Sequence, residues 1–286
     1  MISIITTTFN SSKHIEKFYN KIIFQIKKLK TNYELIIVDD CSQDNTKEIL
    51  FHLSKINKKV KLILLSKNLG QAYAINIGLK NSKGSILFLT DSDNEEKGNN
   101  LINLYKEIKL KKFDLIYSIR KIKKKNFFNN FLKIIFINLF RLIHKNVYSN
   151  QSWLRIFNKK YKKSILSKEI NYYPIGHELS KNFFIKKKNI YYKYKGYSAY
   201  KLSSRIDYAF EIIVNYSNKF KFYCLLFFFL ISDIILIIVL TNTSIFIKII
   251  ILLSLILLLF FKYYLITNFI KKKTIISKFI IKKINF

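Results

Sequence analysis

The chain has 286 residues, 50% hydrophobic and 16% aromatic, with 51 Lys and Arg against 17 Asp and Glu and a formal net charge of +34. That length and apolar content exclude a disordered tail or a minimal module, and leave room for one sizeable domain with membrane segments. Residues 1–120 hold 20 Lys/Arg and 12 Asp/Glu whereas residues 121–286 hold 31 and 5, so an anionic partner (lipid headgroups, phosphate esters or nucleic acid) is expected for the second half. Cys41 and Cys224 lie far apart in dissimilar surroundings, which argues for a reducing compartment over a disulfide framework. The opening ISIITTTF is too short and too uncharged for a secretory signal, so residues 1–120 are expected in the cytosol.

In chain order, Ile2 to Thr8 reads as a strand, and Ile15, Phe18, Tyr19, Ile22, Ile23, Ile26 and Leu29 mark one face of the helix that follows. Glu34 to Val38 is a second strand ending in Asp39 and Asp40; residues Ser42 to Asn45 offer caps for a helix carrying Ile49, Leu50, Leu53 and Ile56. Lys61 to Leu65 is a third strand. Gly70 to Leu79 is a helix of small residues suited to close packing on a sheet. The apolar run Ile86 to Leu89 then breaks into acid within GSILFLTDSDNEE, and reads as a buried strand delivering charge at its C-terminal end. A helix marked by Leu101, Leu104, Tyr105 and Ile108 precedes a strand over Phe113 to Ser118 that ends near Arg120. Strands alternating with helices of this length predict an α/β fold, a mostly parallel sheet covered on both faces.

Asp91 and Asp93 are two residues apart, so in extended chain both carboxylates face one side and can share a divalent cation. A D-x-D triplet alone is a common surface pattern. Its weight here comes from Asp39 and Asp40, which close a second strand at the same edge, where open α/β sheets bind ligands. No G-x-G-x-x-G follows the first strand and Gly78 to Ser85 does not meet the G-x-x-x-x-G-K-[ST] spacing, so neither a dinucleotide site nor a P-loop is supported.

TTTFN, ELIIVDDCSQDNT, NLGQAYAINIGLKNSKGSILFLTDSD and DLIYSIR, in this order and spacing, resemble family 2 glycosyltransferases with a GT-A fold, and within them the polyprenyl-phosphate branch of dolichyl-phosphate mannose synthases and undecaprenyl-phosphate glucosyltransferases. The resemblance implies that Thr8, Asn10, Asp39, Asp40, Gly70 and Asp91 bind a nucleotide sugar, with Asp40 and Asp39 at its nucleobase. It implies Mg2+ or Mn2+ on Asp91 and Asp93, with Glu95 standing where the branch commonly has a Gln metal contact. Asp93 and Arg120 are the implied catalytic residues, the Arg fork being suited to phosphate oxygens. The usual Pro of the first motif is replaced by Thr7 or Thr8, and the usual acid after it by Ser11.

Beyond KIKKK, Asn126 to Lys145 places Asn126, Asn129, Asn130, Lys133, Arg141 and Lys145 along one stripe and predicts an interfacial amphipathic helix. Phe222 to Leu240 and Ile245 to Ile266, of 19 and 22 residues, match the roughly 20 needed to cross hydrocarbon and read as a two-helix transmembrane hairpin. Lys219 and Lys221 before it, and Lys271, Lys272, Lys273, Lys278, Lys282 and Lys283 after it, place both outer ends in the cytosol. Asp233 within the first span reads equally as a functional acid or as a neutral, tolerated one. Three regions follow: a nucleotide-sugar-binding core over 1–120, an acceptor-side and membrane-interface region over 121–218, and the two-span region with its basic tail over 219–286.

Between the membrane elements, SWLRIFNKK resembles the acceptor-side segment of the branch and GYSAYKLSSRIDYAFEIIVNYS its G-x-S-K-Y region, with Ala199 in place of the Lys. The implied acceptor-phosphate set is Arg120, Lys133, Arg155, Ser198, Lys201 and Arg205. A lipid monophosphate is already ionised and needs cations rather than a base, which suits so basic a half. The expected partners are a nucleotide-sugar donor, a polyprenyl-phosphate acceptor and the cytoplasmic membrane, without nucleic acid; a homo-oligomer is compatible with the pattern. Two alternatives stand beside this reading. One is transfer to a hydroxyl of a lipid-linked glycan with Glu178, beside His177, as base; the other is a non-catalytic basic scaffold.

Overall fold

In the computed structural model the described residues are 1–93, 100–121, 151–166, 183–191 and 280–284. They belong to one compact unit, Met1–Ile137 with Asn146–Tyr197 and Phe279–Phe286. The expected amphipathic helix over 126–145, both apolar spans, Glu95, Lys133, His177, Glu178, Ser198, Lys201, Arg205 and Asp233 lie outside the described residues. Among the described residues no helix is long and apolar enough to cross a membrane.

The elements run β1 (Ile2–Thr8), α1 (Ile15–Leu29), β2 (Tyr33–Asp39), α2 (Thr46–Ile56), β3 (Val60–Leu65), α3 (Gln71–Lys80), β4 (Ile86–Leu89), α4 (Asn100–Lys111), β5 (Leu115–Lys121), β6 (Gln151–Asn158), α5 (Lys159–Leu166), β7 (Ile185–Tyr191) and β8 (Ile280–Ile284). The strands form one sheet in the order β7-β5-β6-β4-β1-β2-β3-β8. The β4-β1-β2-β3 block is parallel, as the alternating strand and helix pattern requires. Antiparallel partners enter from beyond residue 121: β6 between β4 and β5, and β8 on the outer edge of β3, while β7 runs parallel to β5. The sheet therefore continues into chain that the sequence presented as acceptor-side and membrane-facing.

Side chains alternate between two cores with the period of a strand. On one face Ile4, Leu35, Ile37, Leu62, Phe88 and Ile116 pack under α1, α2 and α4; on the other Ile5, Ile36, Val38, Ile63, Leu87, Leu89 and Tyr117 pack under α3 and α5. Each such aliphatic or aromatic side chain contributes about 1.5–3 kcal/mol relative to exposure. Gly78 permits the close seat of α3 on the sheet, since a Cβ there would stand 2.6 Å from the Ile5 side chain. In α1, Glu16 in the first turn and Lys27 and Lys28 in the last complement the helix dipole. The chain winds from β1 outward to β3 and returns to β4 on the other side of β1, so the crevice between β1 and β4 at their C-terminal ends is the topological switch point.

Candidate functional site

At that edge two loops are clasped together by side-chain to backbone bonds. Asn10, in left-handed backbone geometry (φ 49), donates its N–H to Ser42 Oγ (3.0 Å) and accepts from Gln43 N at its Oδ1 (2.8 Å). Ser11 N donates to Thr46 Oγ1 (2.8 Å) and Ser12 N to Asp44 Oδ2 (3.1 Å). The N-cap of α2 is Asn45, whose side chain makes no capping bond; Asp44, one residue earlier, accepts from Thr46 N at its Oδ1 (3.1 Å). Partial burial pushes the Asp44 carboxyl up, but bonds from Thr46 and Ser12 outweigh it and lower it to about 2.

The Asp39–Asp40 pair ends β2, in register with Thr8 at the end of β1. Asp39 is fully buried and accepts from Ser42 Oγ (2.5 Å) and Ser42 N (3.1 Å), which shapes the turn after β2. Asp40, also buried, uses both oxygens on the loop before α3: Leu69 N at 2.7 Å and Gly70 N at 2.8 Å. Burial raises both carboxyls above the ordinary aspartate value; their hydrogen bonds oppose the shift without cancelling it. Thr8 is buried with its Oγ1 lacking a hydrogen-bond partner, one residue before Phe9, which is 47% exposed.

Gly70 adopts φ +88, a conformation that side-chain-bearing residues rarely take, and so turns the chain into α3. The next residue, Gln71, donates from Nε2 to Asp91 Oδ1 at 2.7 Å. Asp91 itself is buried and Asp93 half-buried, just past β4. The sequence motifs singled out neither Gln71 nor Phe9. Gln71 was hidden inside NLGQAYA because only the fold brings the start of α3 against the end of β4.

Arg155 lies opposite Leu89 of β4 and Tyr117 of β5, wholly buried, its guanidinium over the Trp153 ring at 5.8 Å. Paired residues on neighbouring strands share a face, and Leu89 and Tyr117 lie in the core under α3 and α5. Arg120 lies in β5 paired with Ile190 of β7.

Thr8, Asp39, Asp40, Gly70 and Asp91 thus come together at one sheet edge, with Asn10 in the adjoining clasp. Among the described residues no group of three or more His, Cys, Asp or Glu could hold a metal. Asp91 and Asp93 still fit a hard divalent cation completed by a bound diphosphate and water, because both are carboxylates and Asp91 is already oriented by Gln71.

Residues 3–187 match the family model described as glycosyl transferase family 2, and the chain belongs to that family. It is similar to a putative teichuronic acid biosynthesis glycosyltransferase, TuaG, of Bacillus subtilis, 34% identical over 101 residues, 35% of this chain and 39% of that protein. It is also similar to an undecaprenyl-phosphate 4-deoxy-4-formamido-L-arabinose transferase of Aeromonas hydrophila, 23% identical over 129 residues, 45% and 39% of the two chains. The match therefore spans about two fifths of the length of these relatives. In fold the chain resembles glucosyl-3-phosphoglycerate synthase from Mycobacterium tuberculosis, solved with Mn2+, UDP and glucosyl-3-phosphoglycerate, at a TM-score of 0.53 and 15% identity over 74% of this chain and 77% of that one.

Proposed function

We propose that this chain is a membrane-tethered inverting glycosyltransferase that moves a sugar from a nucleotide sugar to a polyprenyl phosphate at the cytosolic membrane face. The observation that carries the donor side is the placement of Asp40 and Asp91 at the C-terminal edge of the sheet, beside the β1/β4 crevice, in a family 2 chain. The exposed Phe9 ring offers the nucleobase an aromatic face at the same edge. Asp91 and Asp93 would hold Mg2+ or Mn2+, which supplies positive charge to the diphosphate as it leaves. The solved relative bound to Mn2+ and UDP is consistent with that assignment.

In the transfer, an acceptor oxygen forms a bond to the anomeric carbon while the bond from that carbon to the diphosphate breaks, inverting the centre; the electron pair leaves on the nucleoside diphosphate. A phosphate monoester supplies an oxygen already ionised, so the chain's task on the acceptor side is to hold charge. Arg120, Lys133, Ser198, Lys201 and Arg205 are proposed for that task, together with Arg155, a buried cation paired with Leu89 at the end of β4.

The connectivity is compatible with a two-span hairpin. Strands β7 and β8 belong to one sheet, and the chain between them contains both apolar stretches. A sheet occupies one compartment, so if the two apolar stretches cross a bilayer they do so an even number of times, as the proposed hairpin would. The Aeromonas relative, named for an undecaprenyl-phosphate substrate, favours a lipid acceptor. Membranes carrying the protein, given labelled nucleotide sugars and polyprenyl phosphate, are expected to yield an organic-extractable, mild-acid-labile product; absence of that product with every common donor overturns the reading. A second reading is transfer to a hydroxyl of a lipid-linked glycan; the relative TuaG, named for teichuronic acid biosynthesis, is compatible with it. It requires Glu178→Gln to be inactive, whereas the phosphate acceptor leaves that variant active.

A further inference from the structure

We propose that Gln71 is a positioning residue for Asp91, and that the Leu69–Gly70–Gln71 turn makes nucleotide and divalent-cation binding interdependent. The inference rests on the donor-site reading above. Three consecutive residues reach two acids on different strands: Leu69 N and Gly70 N bind the two oxygens of Asp40 at the end of β2, and Gln71 Nε2 binds Asp91 Oδ1 after β4. The turn has little freedom. Gly70 is fixed at φ +88 and its N–H also lies 3.1 Å from Asn68 Oδ1. Gln71 opens a helix buried from Ala72 to Leu79 and seated on the sheet at Gly78, so its amide is carried on a rigid element.

A carboxylate that ligates a cation depends on the hydrogen bond that orients it; losing such a partner typically costs about 10–100-fold in metal affinity. Here the partner is an amide, which donates without adding charge beside the cation. Because the same turn is held by Asp40, any shift of the loop caused by a base bound near Asp40 moves the donor that aims Asp91. Binding on one side therefore changes affinity on the other, and by linkage the effect is reciprocal.

The test is calorimetric titration of Mn2+ into the detergent-solubilised full chain, with and without UDP, and of UDP into the chain in EDTA. Gln71→Met, which keeps length and removes the donor, is expected to weaken Mn2+ binding in the presence of UDP about tenfold or more, to shrink the factor by which UDP raises Mn2+ affinity, and to leave metal-free UDP binding and the melting temperature unchanged. Gln71→Asn keeps the amide but shortens its reach, and is expected to lose Mn2+ affinity likewise. If Asp91→Asn abolishes Mn2+ binding while both Gln71 variants bind as wild type, the positioning role is overturned and the donor-site reading stands. Equal losses of metal-free UDP binding and melting temperature in both Gln71 variants would show a merely structural role and also overturn it. Mn2+ binding that survives Asp91→Asn overturns the donor-site reading and this inference with it.

Discussion

Gly78 on α3 and Ile5 on β1 approach so closely that a Cβ on Gly78 would stand 2.6 Å from Ile5 Cγ2 and 3.3 Å from Val38 Cγ2. The contact sets the height of α3 over the sheet, and with it the position from which Gln71 and the Asp40-bound loop act. Gly78→Ala must push the helix outward or force Ile5 from its rotamer, a cost of about 1–3 kcal/mol for overpacking. Thermal unfolding of the solubilised protein should fall accordingly. Nucleotide affinity should fall with it, because the displaced helix carries the loop. An unchanged melting temperature would show that Ile5 can yield at no cost.

At the opposite end of the sheet Glu34 is buried and accepts from Ser3 Oγ, Lys61 Nζ (2.6 Å), Lys83 N and Gly84 N (3.2 Å). Burial raises its carboxyl, but Lys61, Ser3 and Lys83 together bring it below the usual glutamate value. The stability it contributes is present above pH 4.5 and is lost as pH falls through the folded value. Glu34→Ala leaves the Lys61 ammonium, 12% exposed, without this partner and is expected to cost about 3–5 kcal/mol in denaturant melts, with Glu34→Ala/Lys61→Met recovering part of the loss. No recovery in the double variant would assign the cost to the Ser3 and backbone bonds instead.

The fold of residues 1–121 was legible because its signals are local: period-two strands, period-three-and-four helices, and acids at strand ends. Ile86–Leu89 and Ile15–Leu29 form where the pattern places them. What escaped depends on pairing. The segment IKKKNIY reads as a basic, aromatic tract, yet it is edge strand β7, with Lys186 and Lys188 both ion-paired to Glu107 of α4; lysines on an edge are how sheets discourage further pairing. Arg155 is buried through the antiparallel entry of β6, which no periodicity announces. The acids after β2 were legible as a pair, but their division of labour was not: Asp39 shapes its own turn and Asp40 holds the next loop, bonds set by chain 29 and 30 residues away in the second case.

Asp44 gives a pH signature. Its carboxyl stands at about 2 in the folded chain against an ordinary 3.8, so its contribution is complete above pH 3.8 and disappears as pH falls toward 2. Asp44→Asn should lower stability at neutral pH and flatten the decline of melting temperature between those values, measured as a difference from wild type. Both effects are modest because the side chain is only half-buried, where solvent screens its interactions. A variant whose acid limb parallels wild type would remove Asp44 from the clasp between the two loops.

The C-terminal strand supplies the last prediction. Ile284 pairs with Leu62, Lys283 with Ile63 and Lys282 with Leu64, so β8 covers the edge of β3 that the parallel block leaves open. An uncovered edge exposes a row of unpaired N–H and C=O groups. Each ladder bond contributes a net of about 0.5–1.5 kcal/mol, so losing several should speed local opening by an order of magnitude or more. Deletion of residues 279–286 is therefore expected to raise amide hydrogen exchange across Leu62–Leu65 at least tenfold in solubilised protein, while Ile4 and Ile37 in the centre of the sheet keep their protection. Protection of Leu62–Leu65 that survives the deletion would show that β3 keeps its order without β8.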